Sequence, residues 1–137
     1  MKTTPDKTGR YTIAKAFTFS ASHELHHLRP GHKCARNHGH NYTVTVRVSA
    51  DRLDEFGFVT DFGDLAAFGG YLTEHFDHRL LNDVVPFPPT SELLAAHLGE
   101  WFIEHVEPTI HGRLVSVQVS ETPTSFAVWE RTTSDDA

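Results

Sequence analysis

Two long stretches of two-residue alternation, each with histidine where it meets the same connecting loop, restrict this chain more than any other feature. In the first, the odd positions Tyr11, Ile13, Lys15, Phe17, Phe19, Ala21 and His23 form an apolar side broken only by Lys15, with Thr12, Thr18, Ser20 and Ser22 on the even side. In the second, His38, His40, Tyr42, Val44, Val46 and Val48 alternate with Asn41, Thr43, Thr45, Arg47 and Ser49. A period of two is that of a strand with one buried face. Both strands therefore carry their histidines on the core side. The connection, residues 24–33, contains Pro30-Gly31 and is too long for a tight hairpin, so it reads as a long functional loop.

His38 and His40, at i and i+2, point to the same face of a sheet, with Gly39 between them. A third imidazole from His23 completes three nitrogen ligands and leaves a tetrahedral ion one open position, the pattern of a catalytic zinc. A bare His-Gly-His also occurs among hydrogen-bonded surface strands, and His23 on a matching face is what favours the metal. His26, His27 and His32 have no ligand-like spacing and read as decoration of a solvated loop.

Asp61 can cap a helix running from Phe62 to about His75, with Asp64 in its first turn and Leu65, Phe68, Leu72 and Phe76 as its apolar stripe. Gly69-Gly70 in its middle costs about 1 kcal/mol per glycine relative to alanine unless close packing needs a bare backbone. After Pro86, Pro88 and Pro89, Thr90 or Ser91 caps a second helix with Leu94, Leu98, Trp101 and His105 on one face. Alternation returns over residues 114–122, where Val115, Val117, Val119 and Glu121 share a side, and a short fourth strand spans residues 125–130 after the Pro123 turn. The order ββααββ predicts an antiparallel four-stranded α+β domain with two helices on one face. A single domain over residues 1–137 is expected, with its core over about 11–131 and polar ends.

At 137 residues and 39% hydrophobic content the chain can bury one real core. A net charge of -6 and a pI near 5.9 offer no basic field for nucleic acid. No apolar run approaches the ~20 residues that span a bilayer, and residues 1–10 lack the apolar core of a signal peptide. A cytoplasmic protein without nucleic-acid or membrane partners is expected. Cys34 is the lone cysteine, so no intramolecular disulfide can form.

Three further positions suggest chemistry. Glu121 puts a carboxylate on a core face, which is expensive unless something binds it; a lone glutamate there is more often a salt-bridged strand end. Cys34, four residues before His38 and flanked by Lys33 and Arg36, is placed to act as base or nucleophile beside a metal, although an isolated cysteine is more commonly a small core residue. Asp77-His78 could form an acid-base pair in which the carboxylate orients the imidazole.

Together these residues resemble the 6-pyruvoyl-tetrahydropterin synthase and 6-carboxy-tetrahydropterin synthase family. The matching pieces run in order: Phe17 to His23, Cys34 to Tyr42, Gly57-Phe58-Val59-Thr60-Asp61-Phe62, Phe76-Asp77-His78 to Asn82, Pro89-Thr90-Ser91-Glu92, and Glu121-Thr122. The resemblance implies a tunnelling fold whose subunits assemble as barrels, commonly a hexamer of two stacked trimers with active sites at subunit interfaces. It implies that His23, His38 and His40 bind Zn2+ and that Cys34 accepts a proton. Asp77 and His78 of an adjacent subunit would relay with that thiol, and Glu121 would hold the pterin ring with Thr90 and Ser91 nearby. The activity implied is conversion of 7,8-dihydroneopterin triphosphate to 6-carboxy-5,6,7,8-tetrahydropterin, with release of triphosphate and acetaldehyde, in 7-deazaguanine and queuosine-type biosynthesis. The alternatives are the pyruvoyl-forming activity, a non-catalytic zinc- or pterin-binding member of the fold, and a metal-free cysteine hydrolase using Cys34 and His78.

Overall fold

The computed structural model describes residues 9–132, so most of the polar ends read from the sequence lie outside the described residues. Strand β1 (Tyr11–His23) pairs antiparallel with β2 (His38–Ala50) in a register running from Tyr11↔Ala50 to His23↔His38. Phe19, Ala21 and His23 are buried on the inner side of β1, and Tyr42, Val44, Val46 and Val48 on that of β2. The alternation seen in the sequence is thus the burial pattern of the sheet. Because a register slip of one residue would turn every one of these side chains outward, the apolar pattern puts all three histidines on the same inner face.

The sheet has five strands, in the order β3-β1-β2-β4-β5, rather than the four expected. The added strand β3 (Arg79–Leu80) lies parallel to β1 through Ala21↔Arg79 and Ser22↔Leu80, so the sheet is not wholly antiparallel. Two residues are too few to show any periodicity, which is why β3 has no sequence signal. The chain reaches this edge through His78, whose φ of 58° lies in the left-handed region.

Asp61 accepts a hydrogen bond from the Gly63 amide, but the cap opens a 3-10 turn, Phe62–Leu65, before helix α1 (Ala66–His75) begins. Leu65, Phe68, Leu72 and Phe76 are all buried as the stripe requires. Gly69 has a packing reason: a Cβ there would come within 3.0 Å of the Phe17 ring. A one-turn helix α2 (Leu81–Val84) intervenes before α3 (Ser91–His105), which Thr90 caps by accepting from the Leu93 amide.

The buried face of α3 is Leu94, Ala95, Leu98, Gly99 and Phe102, rotated from the stripe through Trp101 and His105. The small residues Ala95 and Gly99 let the helix approach the sheet, and Gly99 meets the Trp129 ring of β5 (Ser125–Glu130). Trp101 instead turns to α1, stacking on Tyr71 at 3.8 Å between ring centroids. In β4 (Arg113–Thr122) the pairing jumps from Arg47↔Ser116 to Val48↔Leu114, so Val115 is the extra residue of a bulge and Leu114 takes the inward place expected of Val115. Phe68 joins the layers, touching Phe17 of β1 and Phe102 of α3, so both long helices cover the same inner face of the sheet.

Candidate active site

The register of β1 and β2 sets His23 directly opposite His38, and His40 opposite Ala21 two residues further along the same face. Their ligand-capable nitrogens all lie within 4.8 Å of one another. His23 is buried and its Nδ1 lies 2.8 Å from the Pro89 carbonyl, while His38 Nδ1 lies 2.7 Å from the Arg36 carbonyl. Since carbonyl oxygens only accept, each Nδ1 must carry a proton, and in a neutral ring Nε2 is then a bare lone pair. The two Nε2 atoms face each other at 2.9 Å, and in neutral rings no hydrogen joins them. Such a pair is satisfied by a cation; a tetrahedral zinc with bonds of about 2.0–2.1 Å would hold two ligand nitrogens roughly 3.3 Å apart.

The third imidazole completes the set. His40 Nε2 is buried without a hydrogen-bond partner among the described residues, and burial lowers its pKa, opposed by the nearby Glu121 charge. Three imidazoles converging on one point fit zinc, and at His23 and His38 the backbone carbonyls on the outer ring nitrogens fix tautomer and orientation as they commonly do at metal sites.

Glu121 and the start of α3 extend the site. One Glu121 oxygen lies 3.5 Å from His40 Nε2, and the other accepts from the Ser91 hydroxyl at 2.9 Å. One step beyond the Thr43↔Ser120 pair, Glu121 is beside Tyr42, whose hydroxyl pKa is raised by burial and by the Glu121 charge. Glu121, Thr90 and Ser91 line a hollow of about 260 Å³ with Leu25, Phe126 and Ala127. The carboxylate thus faces both the histidines and this hollow.

Cys34 is half-buried, in a 3-10 turn (Lys33–Ala35) of the connecting loop, and lies outside the histidine cluster. Its amide donates to His32 Nδ1 at 3.1 Å and its carbonyl accepts from the Leu25 amide at 3.1 Å. His32, expected to be loop decoration, is therefore the cap that holds the Cys34 backbone. His26 contacts Glu24.

Asp77 and His78 are paired through Oδ2 and Nδ1 at 2.9 Å. Asp77 also accepts from the Ser20 amide at 2.9 Å, and the His78 amide donates to the Ser20 carbonyl at 2.6 Å. These bonds set the pair against the edge of β1, where His78 lines a hollow with Ser20, Ser22, Asn41 and Arg79, bordered also by His40. The fold brings His23, His38, His40, Glu121, Ser91 and Thr90 to one end of the inner face, and sets Asp77-His78 beside the β3 edge of the sheet.

The sequence model of the family described as 6-pyruvoyl tetrahydropterin synthase matches residues 12–132. The chain belongs to the 6-pyruvoyl tetrahydropterin synthase family. Within this family of pterin-processing enzymes, it is 41% identical over 123 residues to the 6-carboxy-5,6,7,8-tetrahydropterin synthase of Synechocystis, covering 85% of this chain and 91% of the relative. It is 33% identical over 128 residues to the Bacillus subtilis protein of the same name, covering 87% and 84%. Among solved structures, the 6-pyruvoyl tetrahydropterin synthase of Caenorhabditis elegans superposes with a TM-score of 0.78 at 27% identity, covering 96% of this chain and all of the other (100%). An uncharacterized Wolinella succinogenes protein gives 0.82 at 24% identity, covering 91% and 100%, and shares the fold.

Sequence reasoning missed the residues that orient the histidines. The Pro89 and Arg36 carbonyls are backbone groups without a residue-type signal, although Pro89 follows a proline-rich run ending at the helix cap. Asn82 exchanges two hydrogen bonds with the Glu24 backbone, both at 2.8 Å, and only its place in the Asp77-to-Asn82 match could have drawn attention to it.

Proposed function

We propose that the protein is a zinc-dependent 6-carboxy-5,6,7,8-tetrahydropterin synthase, acting on 7,8-dihydroneopterin triphosphate with release of triphosphate and acetaldehyde. The observation that carries this reading is the convergence of three imidazole nitrogens with a carboxylate that also reaches Ser91 at the helix start. The name carried by the curated relatives supports the carboxylate-forming branch.

His23, His38 and His40 would hold the ion, which when bound supplies Lewis-acid polarisation of the substrate's side-chain oxygens. The other steps belong to side chains. Glu121 accepts from the 2-amino group and ring N–H of the pterin, a charge-assisted pair that fixes the ring plane and leaves the side chain pointing toward the histidines. Ser91, already donating to Glu121, holds that carboxylate in place, and Thr90 borders the same cleft. Cys34 removes and returns a proton at the substrate's side-chain carbon. Asp77 accepts from His78 Nδ1, so Nε2 of this exposed imidazole is left to exchange protons.

The Asp77-His78 pair stands beside the β3 edge and is not part of the histidine cluster, so the relay would pair His78 of one copy with Cys34 of another. A barrel-like homo-oligomer, a hexamer of two trimers, meets that requirement. No described helix is long and apolar enough to cross a membrane. A cytoplasmic enzyme of queuosine-type 7-deazaguanine biosynthesis is consistent with these features.

The test is mass spectrometry of the products formed from 7,8-dihydroneopterin triphosphate by the purified protein, with acetaldehyde trapped as a hydrazone. A carboxypterin with stoichiometric acetaldehyde is expected. A pyruvoyl product would move the protein to the other branch, and no consumption of substrate would make it a binding protein. Native mass spectrometry reads the oligomer.

A further inference from the structure

Helix α2 is a single turn anchored by the fully buried Leu81, and it begins where β3 stops pairing with β1. After the Ser22↔Leu80 pair the backbone curls into the helix and can no longer pair with the strand edge. The carboxamide of Asn82 replaces the missing peptide group: its Oδ1 accepts from the Glu24 amide and its Nδ2 donates to the Glu24 carbonyl, each at 2.8 Å. Among residues of this size only asparagine offers a donor and an acceptor side by side.

Glu24 is the joint of the site. It follows His23, whose ring is buried against the Pro89 carbonyl, and precedes Leu25, whose amide donates to the Cys34 carbonyl at 3.1 Å. Pinning both polar groups of Glu24 therefore fixes the direction in which the chain leaves His23 and the place to which Leu25 brings Cys34. The other backbone bond of Cys34, from its amide to His32 Nδ1, stays within the loop and cannot tie the loop to the sheet.

We propose that Asn82 is a positioning residue of the reaction: through the Glu24 backbone it sets the distance and orientation of Cys34 relative to the histidine cluster. The role assigned to Cys34 rests on the function proposed above, whereas the clamp itself is independent of it. A displacement of about 1 Å at a reacting group is enough to lower a rate roughly 10²-fold.

Three variants test this: Asn82→Leu, which removes both bonds at similar volume; Asn82→Asp, which keeps the acceptor for the Glu24 amide and loses the donor; and Val46→Ala, a core change that lowers stability elsewhere. Three quantities are read in each. These are kcat and KM for pterin conversion, the alkylation rate of Cys34 by iodoacetamide in zinc-free protein, and hydrogen exchange at the Glu24 and Leu25 amides.

Asn82→Leu should lower kcat roughly 10- to 100-fold with a smaller change in KM. It should also raise alkylation and exchange on the order of tenfold, the loosening expected from one lost hydrogen-bonded pair. Asn82→Asp should fall between it and wild type, and it carries the comparison if Asn82→Leu does not fold. Val46→Ala should leave the alkylation rate at the wild-type value. If the Asn82 variants change alkylation and exchange no more than Val46→Ala does, Asn82 serves only the fold and the proposal is overturned. If wild type does not turn over the pterin, the function reading fails, and the alkylation and exchange measurements still decide whether Asn82 clamps the loop.

Discussion

Glu121 and His40 meet across the inner face at 3.5 Å, while the second oxygen of the same carboxylate accepts from Ser91. This splits the carboxylate between the histidines and the cleft at the start of α3. Glu121→Gln keeps the size but turns one acceptor into a donor facing pterin donors. An unmade charge-assisted pair costs about 2–3 kcal/mol, so affinity for a non-reacting pterin such as neopterin should fall roughly 30- to 150-fold. Calorimetric titration measures it, and zinc content should be unchanged. Equal affinities would make Glu121 a structural strand-end residue.

Protein purified without added metal should hold one zinc per chain, and His38→Ala or His40→Ala should lose it while the circular dichroism spectrum is kept, because two imidazoles are too few donors for tight binding. His23→Ala should behave differently. It removes a buried ring and leaves the Pro89 carbonyl without its donor, adding a stability loss on the order of 1–3 kcal/mol. Thermal melts of the zinc-free proteins separate the two cases. Full zinc occupancy in the His38 and His40 variants would remove the metal assignment.

Cys34→Ala should retain zinc and lose turnover by roughly 10²- to 10⁴-fold, since the thiol lies outside the histidine cluster and its backbone, held by His32 and Leu25, does not depend on the sulfur. Loss of zinc would make Cys34 a ligand, and a near-normal rate would reassign it to packing.

Gly99→Ala tests how α3 seats on the sheet. A Cβ at this position would overlap the Trp129 ring, so the helix or the indole must shift. Overpacking of this kind costs typically 1–3 kcal/mol. Chemical denaturation should report a loss in that range with an unchanged m-value. A neutral outcome would mean that the Trp129 ring swings aside freely.

The histidine cluster was legible because strand alternation and register are the same fact viewed twice: once His23 and His38 lie on apolar faces of neighbouring strands, pairing must bring them together. Glu121 was legible for the same reason, as an inward charge at a strand end. Val115 was misread because a bulge inserts one residue and reverses the alternation on one side of it, and nothing in a run of valines marks the insertion. On α3 the stripe of large residues gives Leu94 and Leu98 but not the rest of the buried face, because close approach to the sheet selects Ala95 and Gly99 over Trp101 and His105. Strand β3, His32 and Asn82 were invisible as elements of the site, since each acts through hydrogen bonds to backbone groups, which carry no residue-type signal: β3 and Asn82 reach β1 and Glu24 far away in sequence, and His32 the Cys34 amide two residues on.

Asp77 offers a test of the edge that carries His78. Its carboxyl is held below the usual range chiefly by the Ser20 amide and then by His78. A carboxylate whose folded pKa is depressed contributes stability that is complete above its unfolded value, about 3.9, and is lost as the pH falls through the lower folded value. Wild type should therefore melt above Asp77→Asn by a constant margin at neutral pH, and the margin should narrow as acid is added below about pH 4. A margin that widened on acidification would contradict the depressed pKa. The same bonds hold His78 at its positive φ, so losing the charge should also relax that residue. Histidine NMR read across the titration should then show the His78 ring changing environment in step with the melting margin.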